Sequence, residues 1–133
     1  MIGWGNYIGI PFADHGSDAR GVDCWGLVRH VLACEHGWQL PSYGEGYDSA
    51  KNQAAVTEVI VNGLMQGWER VSAPVASALV VFRMAGKPWH VGLVVAPDRF
   101  LHAPVGETSC VERLSSPMWE KRIEGFYVRK ETE

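Results

Sequence analysis

The first regular pattern along the chain is an amphipathic segment that begins at residue 24. Apolar residues recur there at helical spacing, as Leu27, Val28, Val31 and Leu32. Asp23 suits the N-cap position because its carboxylate can accept hydrogen bonds from the free amides of the first turn. Gly37 supplies a C-terminal stop. The pattern predicts a helix over residues 24–36, with Cys24 in its first turn.

A second helical pattern follows, and then the period of the apolar residues changes. Ser49 can cap a helix that ends near Gly67 and carries its apolar face on Val56, Val59, Ile60 and Leu64. Beyond it, short β-branched or aromatic runs separated by turn residues predict strands at residues 78–83, 90–95, 99–102, 109–113 and 125–129. Helices followed by strands predict an α+β fold with an antiparallel sheet.

Length and charge narrow the class of protein. The chain has 133 residues and no linker-like segment, which predicts a single domain over residues 1–133. Its net charge of -3 comes from scattered acids and bases, without the clustered basic face that nucleic-acid binding needs. No apolar run approaches the roughly eighteen residues that span a bilayer. We expect neither nucleic-acid binding nor membrane insertion.

The N-terminal residues bear on localisation. Residues 1–6 lack the basic start and the apolar core of a secretion signal. We therefore expect the chain to be made in the cytoplasm without a signal peptide.

Three cysteines lie at wide spacing without a C-x-x-C pair, which argues against a disulfide framework or a zinc ribbon. For Cys34 and Cys110, a disulfide bridge and two reduced thiols remain alternatives, with reduced thiols favoured in a cytosolically made protein. Cys24 differs because the positive end of the helix dipole biases a thiol towards thiolate. The position predicts a nucleophile.

A nucleophilic cysteine needs a base, and histidine is the usual one. His90 opens a predicted strand and His102 closes the next, so one hairpin carries both. The other three are His15, which lies in a loop, and His30 and His36, which lie on the helix but too far along it to act on the thiol. His90 and His102 are therefore the candidates.

The register of this hairpin decides whether the two histidines can cooperate. A plain two-residue turn at residues 97–98 would put His90 and His102 on opposite faces of the sheet. A bulge or an odd-length loop would instead place His102 across from Gly92, which has no side chain to obstruct it. We expect such an irregularity, with His90 as the base within about 4 Å of the Cys24 sulfur and His102 orienting it.

Zinc binding is the competing use of cysteine and histidine. A site of one cysteine and two histidines usually contains two ligands close together in sequence, and Cys24 is separated from both His90 and His102. We expect no metal and no other cofactor.

Together these motifs resemble the NlpC-type cell-wall peptidase family, and most of all the branch found as phage tail components. The resemblance rests on the segments at residues 21–28, 82–83, 90–93 and 100–103. It implies a papain-like fold with N-terminal helices packed on a five- to six-stranded antiparallel sheet. It also implies cleavage of a D-γ-glutamyl bond to a diamino acid in peptidoglycan peptide stems, without a cofactor.

The resemblance also assigns residues. Cys24 matches the family's nucleophile, His90 the base and His102 the third polar member, while Asp23 matches an acid that often lines the substrate pocket. Asp23, Trp25, Phe12 and Tyr7 are the candidate substrate-binding residues.

Two departures from the family pattern stand out. Phe12 occupies the position of a tyrosine whose hydroxyl helps to bind the oxyanion, and phenylalanine cannot donate; Tyr7 or a backbone amide would have to substitute. Residues 77–78, Ser-Ala, replace a Gly-Asp pair, which predicts an altered turn there.

Three functions follow as alternatives. The first is a peptidoglycan endopeptidase that acts in a phage tail or virion or at the cell wall, with other tail proteins as partners. The second is a tail assembly or structural protein with weak or no hydrolysis, in line with Phe12. The third is an amidase or acyltransferase that uses the same triad on a different amide.

Overall fold

Helix α1 (Cys24–His36) begins and ends where its sequence predicts. We describe a computed structural model of the chain at residues 3–41, 57–58, 60–63 and 67–130. A carboxylate oxygen of Asp23 accepts a hydrogen bond from the Gly26 N–H at 2.7 Å, which caps the N-terminus. Gly37 ends the helix in the left-handed conformation, with φ 70°, and its N–H bonds to the Ala33 carbonyl. This helix prediction is confirmed.

Most of the predicted second helix, from Ser49 to Gly67, lies outside the described residues. Residues 57–58 and 60–63 are helical, as that pattern predicts. None of the helices within the described ranges is long and apolar enough to cross a membrane.

Within the described part of the chain, eight strands form two antiparallel sheets. A small hairpin of β1 (Ser17–Asp18) and β2 (Gly21–Val22) precedes α1. The main sheet has the order β3-β8-β4-β5-β6-β7. Its strands are β3 (Trp68–Val71), β4 (Leu79–Met84), β5 (Lys87–Ala96), β6 (Arg99–His102), β7 (Cys110–Arg113) and β8 (Ile123–Arg129).

The α+β class with an N-terminal helix on a six-stranded antiparallel sheet is confirmed. The five predicted runs correspond to β4, β5, β6, β7 and β8. The sequence pattern missed the two-residue strands β1 and β2 and, in the main sheet, β3, in which only Trp68 is buried. A four-residue edge strand with one buried side chain offers too little alternation to be recognised.

The main sheet has a different apolar cluster on each face. The helix-side cluster joins the buried face of α1, including Cys24, to alternate strand residues Leu79, Val81, Val91, Leu93, Val95 and Leu101. The outer cluster, on the other face, consists of Ala78, Val80, Phe82, Val94, Phe100, Leu114 and Trp119. Because side chains alternate along a strand, neighbours in β5 belong to different clusters.

A β-bulge sets the register between β5 and β6. Ala96 pairs with Arg99, but Val94 pairs with Phe100, so Val95 is the extra residue. Leu93 then pairs with Leu101, and at the next position Gly92 lies across from His102. A Cβ atom built on Gly92 would lie 3.3 Å from the His102 Cβ, a tight contact that glycine avoids. The predicted irregularity is confirmed, and it places His90 and His102 on one face.

The turn before β4 contains a residue in a conformation that favours glycine. Ser77 has φ 71°, in the left-handed region, and its hydroxyl lies 3.0 Å from His36 Nε2 on α1. Ser77 thus adopts a backbone conformation that glycine would take without strain, and an alteration of this turn relative to the family stays a prediction.

Replacing Ser77 tests this strain directly. Ser77→Gly and Ser77→Ala both remove the hydroxyl contact, but only glycine tolerates the positive φ without cost. We expect the glycine variant to exceed the alanine variant by about 1 kcal/mol in free energy of unfolding, measured by urea denaturation. Equal stabilities of the two variants would show that residue 77 carries no backbone strain.

Candidate active site

Cys24 is the first residue of α1, and its thiol is buried in the helix-side cluster with 7% of the residue exposed. The N–H groups of Val91, of Trp25 and of Cys24 itself are directed to the sulfur. These donors favour the thiolate, but burial and then the Asp23 carboxylate oppose them and raise the pKa of Cys24 to about 12. The expectation of a thiolate at the helix start is wrong for this arrangement, because loss of hydration outweighs the helix dipole.

His90 and His102 form a hydrogen-bonded pair that continues to a carboxylate. His90 Nε2 lies 2.9 Å from His102 Nδ1, and His102 Nε2 lies 2.6 Å from an oxygen of Glu112. Burial lowers the pKa of His90 to about 3, assisted by His102, and lowers the pKa of His102 to about 4. Both imidazoles are therefore neutral near pH 7.

The carboxylate determines which ring nitrogens carry protons. As an acceptor only, Glu112 requires the proton of His102 on Nε2. His102 Nδ1 is then an acceptor, so the proton of His90 lies on Nε2. This leaves a lone pair on His90 Nδ1, as a base requires.

Aromatic rings of the outer cluster surround the histidine pair. Trp119 stacks on His90 with ring centroids 5.8 Å apart and meets His102 edge-on at 5.1 Å. Phe82 and Phe100 complete the enclosure. Both imidazoles are consequently held in fixed orientations and shielded from water, with 3% of His90 and none of His102 exposed.

The described residues do not bring the thiol into hydrogen-bond contact with His90. Cys24 belongs to the helix-side cluster, whereas the rings of His90 and His102 pack with the outer cluster. The backbone N–H of Val91, the residue that follows His90, is instead close enough to the thiol to favour its charged form. The approach of the sulfur to a His90 ring nitrogen remains a prediction.

The structure places Asp23 and Trp25 in supporting positions. The second carboxylate oxygen of Asp23 accepts from the His15 N–H at 3.0 Å, so this buried side chain joins the preceding loop to the start of α1. The indole N–H of Trp25 donates to the Pro41 carbonyl at 2.8 Å and anchors the chain that follows α1. Contact of either residue with substrate remains a prediction.

Phe12 and Tyr7 differ in their relation to the thiol. Phe12 is bridged to Val22 and packs against the cluster that contains Cys24. The Tyr7 hydroxyl donates to Glu35 at 2.6 Å. Glu35 lies eleven residues after Cys24, roughly 16 Å along the helix axis at 1.5 Å per residue. The expectation that Tyr7 substitutes as an oxyanion donor is therefore wrong, because its hydroxyl is bound to Glu35 towards the C-terminal end of α1.

Sequence reasoning missed Glu112 and Trp119. The alternation of β7 carries the only signal for Glu112, since Cys110 pairs with His102 and residue 112 shares its face. The contact of Glu112 with His102 can be predicted from this alternation only when the pairing register of β6 and β7 is known. Cys24, Cys34 and Cys110 are free cysteines in the structure.

The outer face also holds a cavity of about 530 Å³. Its walls include His90, Cys110, Glu112 and Trp119. Three donor atoms, from His102, Cys110 and Glu112, lie within 4.8 Å of one another at this wall and could hold a metal ion.

A cysteine at the start of a helix and a histidine pair on the adjoining antiparallel sheet define an α+β fold of the papain-like class. The sequence pattern of the NlpC/P60 family matches residues 9–128. The chain belongs to this family.

Two curated relatives and two solved structures are similar to the chain. Murein DD-endopeptidase MepS/murein LD-carboxypeptidase of Escherichia coli strain K12 is 25% identical over 122 residues, covering 92% of this chain and 57% of that protein. Gamma-DL-glutamyl hydrolase of Bacillus subtilis strain 168 is 28% identical over 123 residues, which cover 90% of this chain and 26% of that protein. The chain thus spans little more than half of the first relative and about a quarter of the second.

The structural likeness extends over most of the fold. The NlpC/p60 domain of the peptidoglycan hydrolase SagA superposes with a TM-score of 0.62 at 24% identity, covering 92% of this chain and 89% of that one. A lipoprotein-like NLP/P60 family protein of Staphylococcus aureus superposes with a TM-score of 0.63 at 21% identity, and the match covers 96% of this chain and 39% of that one. These likenesses establish the fold.

The carboxylate of Asp23 offers a test of what controls the thiol. Asp23→Asn removes the negative charge but keeps a good N-cap, so we expect a lower Cys24 pKa. In a Cys34→Ser, Cys110→Ser background, alkylation by iodoacetamide at about pH 8 should accelerate, roughly tenfold for each unit of pKa decrease.

The matched control is Asp18→Asn, on the exposed hairpin before α1, which should leave the alkylation rate unchanged. A rate that does not rise in Asp23→Asn, with the helix content intact by circular dichroism, would contradict the role of this charge.

Proposed function

We propose that the chain is a cysteine hydrolase that cleaves an amide bond in peptidoglycan peptide stems, between D-γ-glutamyl and a diamino acid. The observation that carries the proposal is the continuous hydrogen-bonded series from Glu112 through His102 to His90, beside the thiol at the start of α1. Such a series supplies an oriented, neutral base next to a nucleophile.

The relatives support the substrate class. Their printed names include a murein endopeptidase and a gamma-DL-glutamyl hydrolase. Both names denote hydrolysis of an amide bond, and the murein name also denotes a wall peptide. We carry these properties to this chain as part of the proposal.

The mechanism starts from a resting state in which the thiol is protonated and His90 is neutral. Reaction requires side-chain movement that brings the Cys24 sulfur to His90 Nδ1. Because the sulfur already contacts the N–H of Val91, the backbones of the two residues are adjacent. A rotation of side chains, without a change of fold, is the movement that the mechanism needs.

In the chemical step the Cys24 sulfur attacks the amide carbonyl carbon, and its proton passes to His90 Nδ1. The C–N bond then breaks, His90 returns the proton to the leaving amine, and the acyl group remains on the sulfur as a thioester. Water gives a proton to His90 as its oxygen attacks the thioester carbon; the C–S bond then breaks, and the proton passes from His90 to the sulfur, which frees the acid and restores the thiol.

The charge that develops on the carbonyl oxygen needs donors. The Cys24 N–H, at the positive end of α1, is suited to this role. Phe12 offers no hydroxyl beside it. We therefore propose an oxyanion site built from backbone amides, and a slower reaction than a tyrosine-assisted one.

The setting that we propose is a phage or prophage tail, at the bacterial wall. Its support is the resemblance of the cysteine and histidine motifs to that branch of the family. A tail assembly protein with weak or no hydrolysis is the second candidate, and Phe12 favours it.

Incubation with purified muropeptides tests the reaction. Wild-type protein should release products with a free D-glutamyl carboxylate, detected by mass spectrometry. Cys24→Ala and His90→Ala should each abolish the cleavage, because one removes the nucleophile and the other removes the base.

Cys34→Ser is the control, since this exposed thiol interacts with His30 and Tyr7 and not with His90 or His102, and it should be dispensable. Cleavage by Cys24→Ala at the wild-type rate would refute the assignment. A wild-type protein that cuts no wall peptide would favour the assembly role, and cleavage of another amide would favour an amidase.

Glu112 should act as a positioning residue. Glu112→Ala releases the proton of His102 from Nε2, so both rings can adopt the unproductive tautomer. We expect kcat to fall about a hundredfold with KM little changed, and the ¹⁵N shifts of His102 to move towards mixed tautomers.

Glu112→Gln is the matched variant, because its amide oxygen can still accept the His102 proton, and it should retain more of the wild-type kcat. Unchanged ¹⁵N shifts and wild-type kcat in Glu112→Ala would show that the carboxylate does not set the tautomer.

A further inference from the structure

The side of His102 that faces away from His90 forms a cluster of three different donor atoms. His102 Nε2 lies 2.6 Å from Glu112 Oε2 and 3.6 Å from Cys110 Sγ, and all three atoms lie within 4.8 Å of one another. Imidazole, thiolate and carboxylate are the ligands that Zn²⁺ takes in proteins, and Co²⁺ accepts the same set.

The distances suit a metal ion of this size. Bonds of about 2.0–2.3 Å at tetrahedral angles separate the donor atoms by roughly 3.3–3.8 Å. The spacing of Cys110 and His102 already falls in that range. Glu112 has to move outward by somewhat less than 1 Å, and its side chain, 35% exposed, has room to do so.

The backbone holds these donors together without a ligand. Cys110 is paired directly with His102 across β6 and β7, and Glu112 lies two residues further along the same face of β7. Cys110 and Glu112 also line the cavity of about 530 Å³ on the outer face. The cavity offers an entry path and space for a water molecule as fourth ligand.

Metal binding and base catalysis require opposite tautomers of His102. A metal ion on Nε2 takes the lone pair there, so the single ring proton of neutral His102 has to move from Nε2 to Nδ1. That Nδ1–H donates to His90 Nε2, which forces the proton of His90 onto Nδ1. His90 then cannot accept the proton of Cys24.

We propose that His102, Cys110 and Glu112 form an inhibitory site for Zn²⁺ or a similar transition-metal ion. The ion replaces the hydrogen bond between Glu112 and His102 and displaces the thiol proton of Cys110. The proposal that a metal ion binds depends only on the three donor atoms of this cluster. The proposal that the metal ion inhibits cleavage rests in addition on the function proposed above. Metal and substrate turnover are mutually exclusive because they need different protonation of one imidazole.

Titration with Co²⁺ tests binding independently of activity. We use Cys24→Ala protein, which removes the other buried thiol, and follow the charge-transfer absorption of a cobalt thiolate. The band should grow to one Co²⁺ per chain and be displaced by Zn²⁺. It should disappear in the Cys24→Ala, Cys110→Ser variant and persist in Cys24→Ala, Cys34→Ser, since Cys34 lies with His30 on α1.

A muropeptide assay tests inhibition. Zn²⁺ should inhibit wild-type cleavage reversibly, with recovery on adding EDTA. Measured against its own metal-free rate, Cys110→Ser should need at least about tenfold more Zn²⁺ for half inhibition, because it lacks one ligand.

The two assays separate the possible failures. Absence of the cobalt band, or its persistence without Cys110, overturns the metal site whatever the activity. A cobalt band that depends on Cys110 in a protein without peptidase activity supports the site and refutes the proposed function. Equal inhibition of wild type and Cys110→Ser overturns the inhibitory role.

Discussion

The bulge at Val95 is the constraint on which the candidate site depends. It shifts β6 by one residue against β5 and so places His102 across from Gly92, on the face that carries His90. Without it, alternation would put the two imidazoles on opposite faces of the sheet. The hydrogen bond between them, the aromatic enclosure and the link to Glu112 all follow from this single extra residue.

Local features could be predicted from the sequence, because their causes are local. Asp23 and Gly37 mark both ends of α1 by capping chemistry, and turn residues separate the strands. Even the bulge was foreseeable, since the cooperation of His90 and His102 requires it. Glu112 could not be found in the same way, because its contact with His102 depends on the pairing of β6 with β7.

The state of the thiol shows why position along a helix is not enough. The helix start and three backbone N–H groups favour a charged sulfur, and sequence reasoning could count on the first of these. Burial and the neighbouring Asp23 act in the other direction and prevail. The burial of the thiol and the strength of the Asp23 charge effect both depend on how much water the packed chain excludes from Cys24. The spacing of residues in the sequence does not predict this exclusion of water.

In the hydrogen-bonded series Glu112–His102–His90, each neutral imidazole carries one ring proton, and the position of that proton determines which nitrogen can act as a base. Glu112, the acceptor at one end, fixes the proton of His102 on Nε2. The hydrogen bond between the two rings then fixes the proton of His90 on Nε2, so that His90 Nδ1 keeps its lone pair. In the mechanism that we propose, Glu112 would therefore act on Cys24 without touching it, and a group that takes His102 Nε2 as a ligand would reverse the effect. In that mechanism the site would be sensitive to whatever occupies the cavity beside Cys110, although Cys24 packs in the helix-side cluster.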